Sequence, residues 1–253
     1  MTRLFTSIAL VLFTSAALVM GQAAAPPATT EVAQAADDAA PKVDKAGRPQ
    51  PKFMALHDQF LARARDGGVD LLFVGDSITA GWGGPNGKET WDARYATRKA
   101  ANFGIGGDRT QHVLWRMQNG ELEGITPKVA VVMIGTNNSK HDPADKIASG
   151  VEKIVKTIRD KTGAKVLLLA IFPRGATPEA AAEQRAVIAD VNQRIAKLDD
   201  GKNVRFLDIG EKFMQPDKSI SKEIMPDYLH LSKKGYEIWA DAIEPLLSEM
   251  VRD

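Results

Sequence analysis

The chain has 253 residues, of which 44% are hydrophobic and 26% charged, with a formal net charge of +1 and no cysteine. That balance supports one large domain or two small ones around a buried core and excludes wholesale disorder. It offers no basic excess for nucleic acid and no polybasic membrane anchor, and without cysteine there can be no disulfide, thiolate nucleophile, thiolate metal site or lipid-carrying cysteine.

Arg3 precedes an apolar run from Leu4 to Met20, and small residues follow from Gly21 to Ala25. This order predicts a secretory signal peptide over residues 1–24, hence export to the periplasm or the outside. An uncleaved anchor is the alternative, since a run of about 17 residues is at the short end of a bilayer span. Residues 25–51 are rich in Ala, Pro, Asp and Lys and read as a disordered linker, with one folded domain over 52–253. The domain opens with a helix near Lys52 to Arg65, where Phe53, Leu56, Phe60 and Leu61 fall at helical spacing. Val69 to Gly75 is an apolar run suited to a strand buried on both faces, and Lys99 to Phe103 is a weaker strand. A helix from Asp108 to Asn119 follows, with Asp108 placed to cap it. Lys128 to Ile134 is a strand, Pro143 to Asp160 a helix closed by Gly163, and Lys165 to Phe172 a further strand. Pro178 to Leu198 reads as a helix, Asn203 to Asp208 as a strand and Ser232 to Met250 as a closing helix. Five strands alternating with helices predict an α/β fold with a parallel sheet covered on both faces.

Ligands in such folds bind outside the carboxyl ends of the strands. The first strand is followed by Gly75-Asp76-Ser77, the second by Gly104-Ile105-Gly106-Gly107-Asp108, and the third by Gly135-Thr136-Asn137-Asn138. Asp227-Tyr228-Leu229-His230 precedes the last helix. A serine hydroxyl needs a base, histidine suits that task near neutral pH, and a carboxylate fixes the imidazole tautomer. Ser77 is therefore the candidate nucleophile, with His230 as base and Asp227 as its partner. The amides of Ser77 and Gly107 and the side chain of Asn137 are candidate oxyanion donors.

Each feature alone has a plainer reading. Ser77 could cap a helix, the glycines could form an ordinary turn, and Asp227 with His230 could be a structural hydrogen bond or half a metal site. Their coincidence at separate strand ends favours a hydrolytic site. His57 and His112 fall in helices, whereas His141, in the loop after the third strand, is the rival base. Trp82, Trp91, Trp115 and Trp239 read as packing residues. Gly84 to Thr90 fails as a phosphate-binding loop, and Thr79 breaks the G-x-S-x-G elbow.

Gly75-Asp76-Ser77, Gly107, Gly135-Thr136-Asn137-Asn138 and Asp227 through His230 together resemble the four blocks of the SGNH (GDSL-like) hydrolase family. Ile78 stands in place of the usual leucine and Asn138 in place of Asp. Asn102 to Asn119 and Phe172-Pro173-Arg174-Gly175 are most similar to the catalytic (IB-type) subunits of platelet-activating-factor acetylhydrolase. The resemblance implies a three-layer α/β/α, flavodoxin-like fold with a five-stranded parallel sheet. It also implies ester hydrolysis through an acyl-enzyme on Ser77 with a preference for acetyl groups. His230 is then general base, Asp227 orients it, and Ser77, Gly107 and Asn137 form the oxyanion hole. Neither cofactor nor metal is expected. The expected partner is a small ester or an acetylated glycan, with no nucleic acid, and homodimer formation stays open. A lipid acylhydrolase of the same mechanism and a non-catalytic binding module of the same fold are the alternatives.

Overall fold

Runs of Leu, Val and Phe bounded by Gly, Asp and Lys become five strands: β1 Leu71–Gly75, β2 Ala100–Gly104, β3 Val129–Met133, β4 Lys165–Leu169 and β5 Val204–Leu207. The coordinates are a computed structural model, which describes residues 34–252. The sheet order is β2-β1-β3-β4-β5 and every pairing is parallel. This is the flavodoxin-like doubly wound order. From β1 the chain turns outward to β2 and then crosses back to β3, so the switch point lies between β1 and β3. Gly75 is in register with both Gly104 and Met133, which brings the carboxyl ends of these three strands level.

Side chains alternate across the sheet, as strand geometry requires. Leu72, Val74, Ala130, Val132, Val166 and Leu168 face a layer built from α1 (Pro51–Arg65), α4 (Thr110–Gln118), α5 (Ala144–Thr162) and α6 (Ala182–Ile195). Leu71, Phe73, Val129, Val131, Leu167 and Leu169 face the opposite layer, where α7 (Lys233–Arg252) packs beside Trp82, Trp91 and Tyr95. The result is the three-layer architecture expected. Each buried aliphatic or aromatic side chain contributes roughly 1.5–3 kcal/mol, so both faces are needed to hold the sheet. Trp82 and Trp239 are fully buried, which settles them as core residues.

Two short helices, α2 (Ser77–Ala80) and α3 (Lys88–Arg94), lie in a stretch the hydrophobic pattern left unassigned. The Pro178–Leu198 helix is regular α-helix only over α6, with 3-10 turns on either side. None of the described helices is long and apolar enough to cross a membrane.

The disordered-linker reading of residues 25–51 is corrected from Gln34 onward; its first part, like the signal-peptide segment, lies outside the described residues. Residues 34–50 form a turn-rich strap packed against α4 and α5, its second half folded back on itself through an antiparallel bridge between Val43 and Pro49. Ala36 is fully buried, and its carbonyl accepts the Thr110 hydroxyl at 2.6 Å. Asp37 accepts from Ser149 at 3.1 Å and Lys146 at 3.3 Å. Gly150 makes this approach possible, since a Cβ there would come within 2.4 Å of the Ala36 carbonyl oxygen. The strap needs no large apolar residues because its polar groups find partners in the two helices, and hydropathy is blind to that arrangement.

Candidate active site

Ser77 is the first residue of α2, directly beyond β1. The helix cap is Asp76, whose Oδ1 accepts the Ile78 amide at 2.9 Å. The Ser77 hydroxyl is thus released from capping, and its own amide, at the first helical position, has no acceptor within the helix. Three contacts fix α2. Asn102 donates to the Thr79 carbonyl at 3.0 Å, and the Tyr236 hydroxyl donates to the Ile78 carbonyl at 2.7 Å. Gly104 lies so close that a Cβ would sit 2.3 Å from the Ala80 nitrogen.

His230 Nε2 is 2.9 Å from Ser77 Oγ, and His230 Nδ1 is 2.6 Å from Asp227 Oδ2. A carboxylate only accepts, so Nδ1 carries the proton and Nε2 is left to accept from the serine hydroxyl. Asp227 also shapes the loop: its Oδ1 accepts the backbone amides of Leu229 at 3.1 Å and His230 at 2.7 Å. Tyr228 between them is held at φ 60°, a left-handed conformation that costs a non-glycine residue about 1–2 kcal/mol. Burial pushes the Asp227 carboxyl up, but hydrogen bonds from the His230 side chain and backbone outweigh it and hold the group below its ordinary value. The carboxylate is therefore ionised and able to hold the imidazole in one tautomer.

Two of the oxyanion candidates are tied together through one loop, which passes close to Ser77. Gly107 has φ 74°, which only glycine adopts without strain. Gly106 runs so near Ser77 that a Cβ on it would lie 3.9 Å from the Ser77 Cβ. Asn137 Nδ2 donates to the Asp108 carbonyl at 2.8 Å, which commits one amide proton and leaves the second for a ligand. Asn138 ties the loop after β3 to α4. Its Oδ1 accepts the Thr110 amide at 2.9 Å and its Nδ2 donates to Gln111 at 3.0 Å.

That geometry corrects the reading of Asp108 as the cap of α4. The helix starts at Thr110, and Asp108 turns inward instead, accepting from Arg116 Nε at 3.0 Å with its side chain fully buried. Arg116 in turn pairs with Glu121, and Glu121 with His57 at 2.8 Å. Burial alone would lower the Arg116 pKa, but Glu121 and Asp108 more than offset it.

His141 is not brought to Ser77: its backbone bonds to Asn138, and His230 occupies the base position. His112 is a buried acceptor for the Arg109 amide at 3.0 Å, and burial with nearby Lys42, Arg109 and Arg116 lowers its pKa to about 3.

Sequence reading placed Asp76 and Arg174 in motifs without giving either a role beside the nucleophile, and it missed Lys42. Asp76 is fully buried beside the nucleophile, and burial pushes its pKa up to about 7. Arg174, half-buried, donates to the Thr136 carbonyl at 3.1 Å and feels the charges of Asp76 and Asp227. Lys42 reaches the glycine loop from the strap, with Nζ 2.8 Å from the Gly106 carbonyl oxygen.

The GDSL-like Lipase/Acylhydrolase family matches residues 73–238 of the chain. Homo sapiens platelet-activating factor acetylhydrolase IB subunit alpha1 is 37% identical over 201 residues, covering 79% of this chain and 84% of that protein. The Rattus norvegicus alpha2 subunit is 38% identical over 204 residues, covering 80% and 86%. Among solved structures, a GDSL-like lipase from Bacteroides thetaiotaomicron aligns with a TM-score of 0.61 at 18% identity, covering 76% of this chain and 97% of that one. An acetyl xylan esterase aligns with a TM-score of 0.58 at 23% identity, covering 70% and 98%. At those identities the two structures speak to the fold.

Proposed function

The chain belongs to the GDSL-like lipase/acylhydrolase family and is a hydrolase of ester bonds, and from that premise we propose that it is a serine esterase of short-chain, chiefly acetyl, esters acting through an acyl-enzyme on Ser77. The observation that carries the mechanism is His230 standing between Ser77 Oγ at 2.9 Å and Asp227 Oδ2 at 2.6 Å. Ser77 Oγ attacks the ester carbonyl as its proton passes to His230 Nε2, and Asp227 stabilises the imidazolium. The negative charge that develops on the carbonyl oxygen is met by the amides of Ser77 and Gly107 and the free proton of Asn137. Collapse expels the alcohol, which takes the proton from His230. Water then repeats the sequence on the acyl-serine, with His230 again as base, and releases the acid.

The acyl preference is supported by two relatives that are acetylhydrolases by name. The N-terminal order of Arg3, apolar run and small residues supports export, and an exported esterase would meet acetylated glycans more readily than intracellular lipid. The test is hydrolysis of p-nitrophenyl acetate against p-nitrophenyl octanoate by wild type and Ser77→Ala. Expected is a preference for acetate, with Ser77→Ala folded but slower by roughly 10⁴-fold or more. A preference for octanoate would move the substrate to lipids. A folded wild type inactive on both esters and on acetylated sugars would overturn the reading.

A further inference from the structure

The oxyanion loop has a weakness that the strap answers. Gly106 and Gly107 are consecutive glycines, both exposed at the crevice, and glycine gives a backbone its greatest freedom. A donor that must be pre-aimed at a developing charge is poorly served by a peptide free to rotate. The peptide unit in question is the one joining Gly106 to Gly107. It is planar and trans, so the Gly106 carbonyl and the Gly107 N–H belong to one rigid plate and point in opposite directions. Whatever holds the carbonyl aims the amide.

Lys42 holds it. The ammonium donates to the Gly106 carbonyl at 2.8 Å and forms a close ion pair with Asp108, 2.8 Å from its Oδ1. Lys42 therefore grips the residues on either side of Gly107. Its own side chain is only 13% exposed. The strap that delivers it is anchored upstream by Ala36 in the core and by Asp37 on α5, and it closes downstream through the Gln50 amide bonding back to the Lys42 carbonyl at 2.8 Å. Asp108 is fixed in turn by Arg116, and its carbonyl receives Asn137. One set of contacts thus links Lys42 to both non-helical donors of the oxyanion hole.

We propose that Lys42 is a positioning residue for ester hydrolysis: from the N-terminal strap, its ammonium clamps the Gly106–Gly107 peptide so that the Gly107 N–H faces the oxyanion. The inference rests on the esterase reading above. A cation on the carbonyl end also polarises the same amide, strengthening its N–H as a donor when charge develops. Neither effect requires contact between Lys42 and substrate, so substrate binding should depend on it weakly and turnover strongly.

The test uses the full chain with p-nitrophenyl acetate as substrate and phenylboronic acid as a probe that forms a tetrahedral adduct on the serine. Lys42→Met is expected to stay folded, because Asp108 retains Arg116. Its KM should stay within about twofold while kcat falls roughly 10–100-fold, short of or equal to the loss of a whole oxyanion donor. Phenylboronic acid affinity should weaken in step with kcat. Lys42→Arg, which restores the cation and its donors, should recover kcat to within a few-fold and serves as the measured variant should Lys42→Met not fold. An unchanged kcat in folded Lys42→Met, a loss confined to KM, or a Lys42→Arg variant that folds but turns over roughly 10-fold or more below wild type would overturn the inference alone. A wild type inactive on every ester would overturn the esterase reading and this inference together.

Discussion

Asp76 sits one residue before the nucleophile and carries a penalty that varies with pH. Its Oδ1 is bonded to the Ile78 amide, whereas Oδ2 is buried with no hydrogen-bond partner. Burial is the chief reason its pKa rises from 3.8 to about 7; Asp108 adds to the rise, while the Ile78 amide, His230 and Lys42 oppose it. Arg174 and Tyr236 also lie within range of its charge. The folded-state value is the higher one, so the contribution to stability is full below pH 3.8, where both states are protonated. Between about pH 4 and pH 7 the unfolded chain ionises first and stability drains away; above about 7 the loss levels off. A rise from 3.8 to about 7 corresponds to roughly 4 kcal/mol. Asp76→Asn keeps the acceptor for Ile78 and cannot ionise. Thermal and urea denaturation of both proteins from pH 4 to 8 should therefore show the mutant gaining on wild type by up to about 4 kcal/mol across that range. At ~2–4 °C per kcal/mol for a domain this size, the gain amounts to some 10 °C. Only the difference counts, because carboxylates such as Asp227, held below their ordinary values, add the same opposite slope to both proteins at lower pH. A gap between the two proteins that is constant from pH 4 to 8 would refute the reasoning.

Asn137→Ala removes an oxyanion donor, so kcat for p-nitrophenyl acetate should drop by roughly 10²–10³ with KM little changed; steady-state kinetics beside a melting curve checks this. Gly104→Ala forces a Cβ to within 2.3 Å of the Ala80 backbone nitrogen, so it should cost at least about 1–3 kcal/mol and displace the Ser77 helix, read as a lower Tm together with a lower kcat. Arg116→Met leaves Asp108 buried facing Lys42 and the His112 ring, and Glu121 buried facing His57. Urea unfolding should show a loss of about 3–5 kcal/mol.

The catalytic constellation is legible in the chain because each member has a local signature. Ser77 and Asn137 each follow an apolar run suited to a strand buried on both faces, Gly107 follows the weaker, half-buried β2, and the switch-point rule places such exits together. Asp227 and His230 are three residues apart, close enough for one turn to present both. The structure adds what spacing cannot: Asp227 divides its two oxygens between the loop backbone and the imidazole, and Tyr228 takes a left-handed conformation to allow it. Hydrophobic period finds long helices such as α5. It does not find α2 or α3, which are only one or two turns long and are held by tertiary contacts such as the Tyr236 hydroxyl on Ile78.

The support beneath the site is a different matter, and the reason is physical. Lys42, Asp108, Arg116, Glu121 and His57 look in one dimension like solvated charges, the ordinary fate of those residue types. Asp108 directly before a helix is an apt cap, yet the Thr110 amide it might have taken is satisfied by Asn138 from another loop, which frees the carboxylate to turn inward. One signal was present. Arg116 stands on the same face of α4 as the buried Val113, three residues earlier. A charge on an apolar stripe must find a buried partner, because an unpaired ion there costs more than a helix of this length can supply. The structure supplies such partners in Asp108 and Glu121, both with fully buried side chains. These acids stand only 8 and 5 residues from Arg116, but that His57 should join Glu121 and a lysine from the strap should join Asp108 at the oxyanion loop depends on contacts between segments 64 residues apart, which exist only once the fold has brought them together.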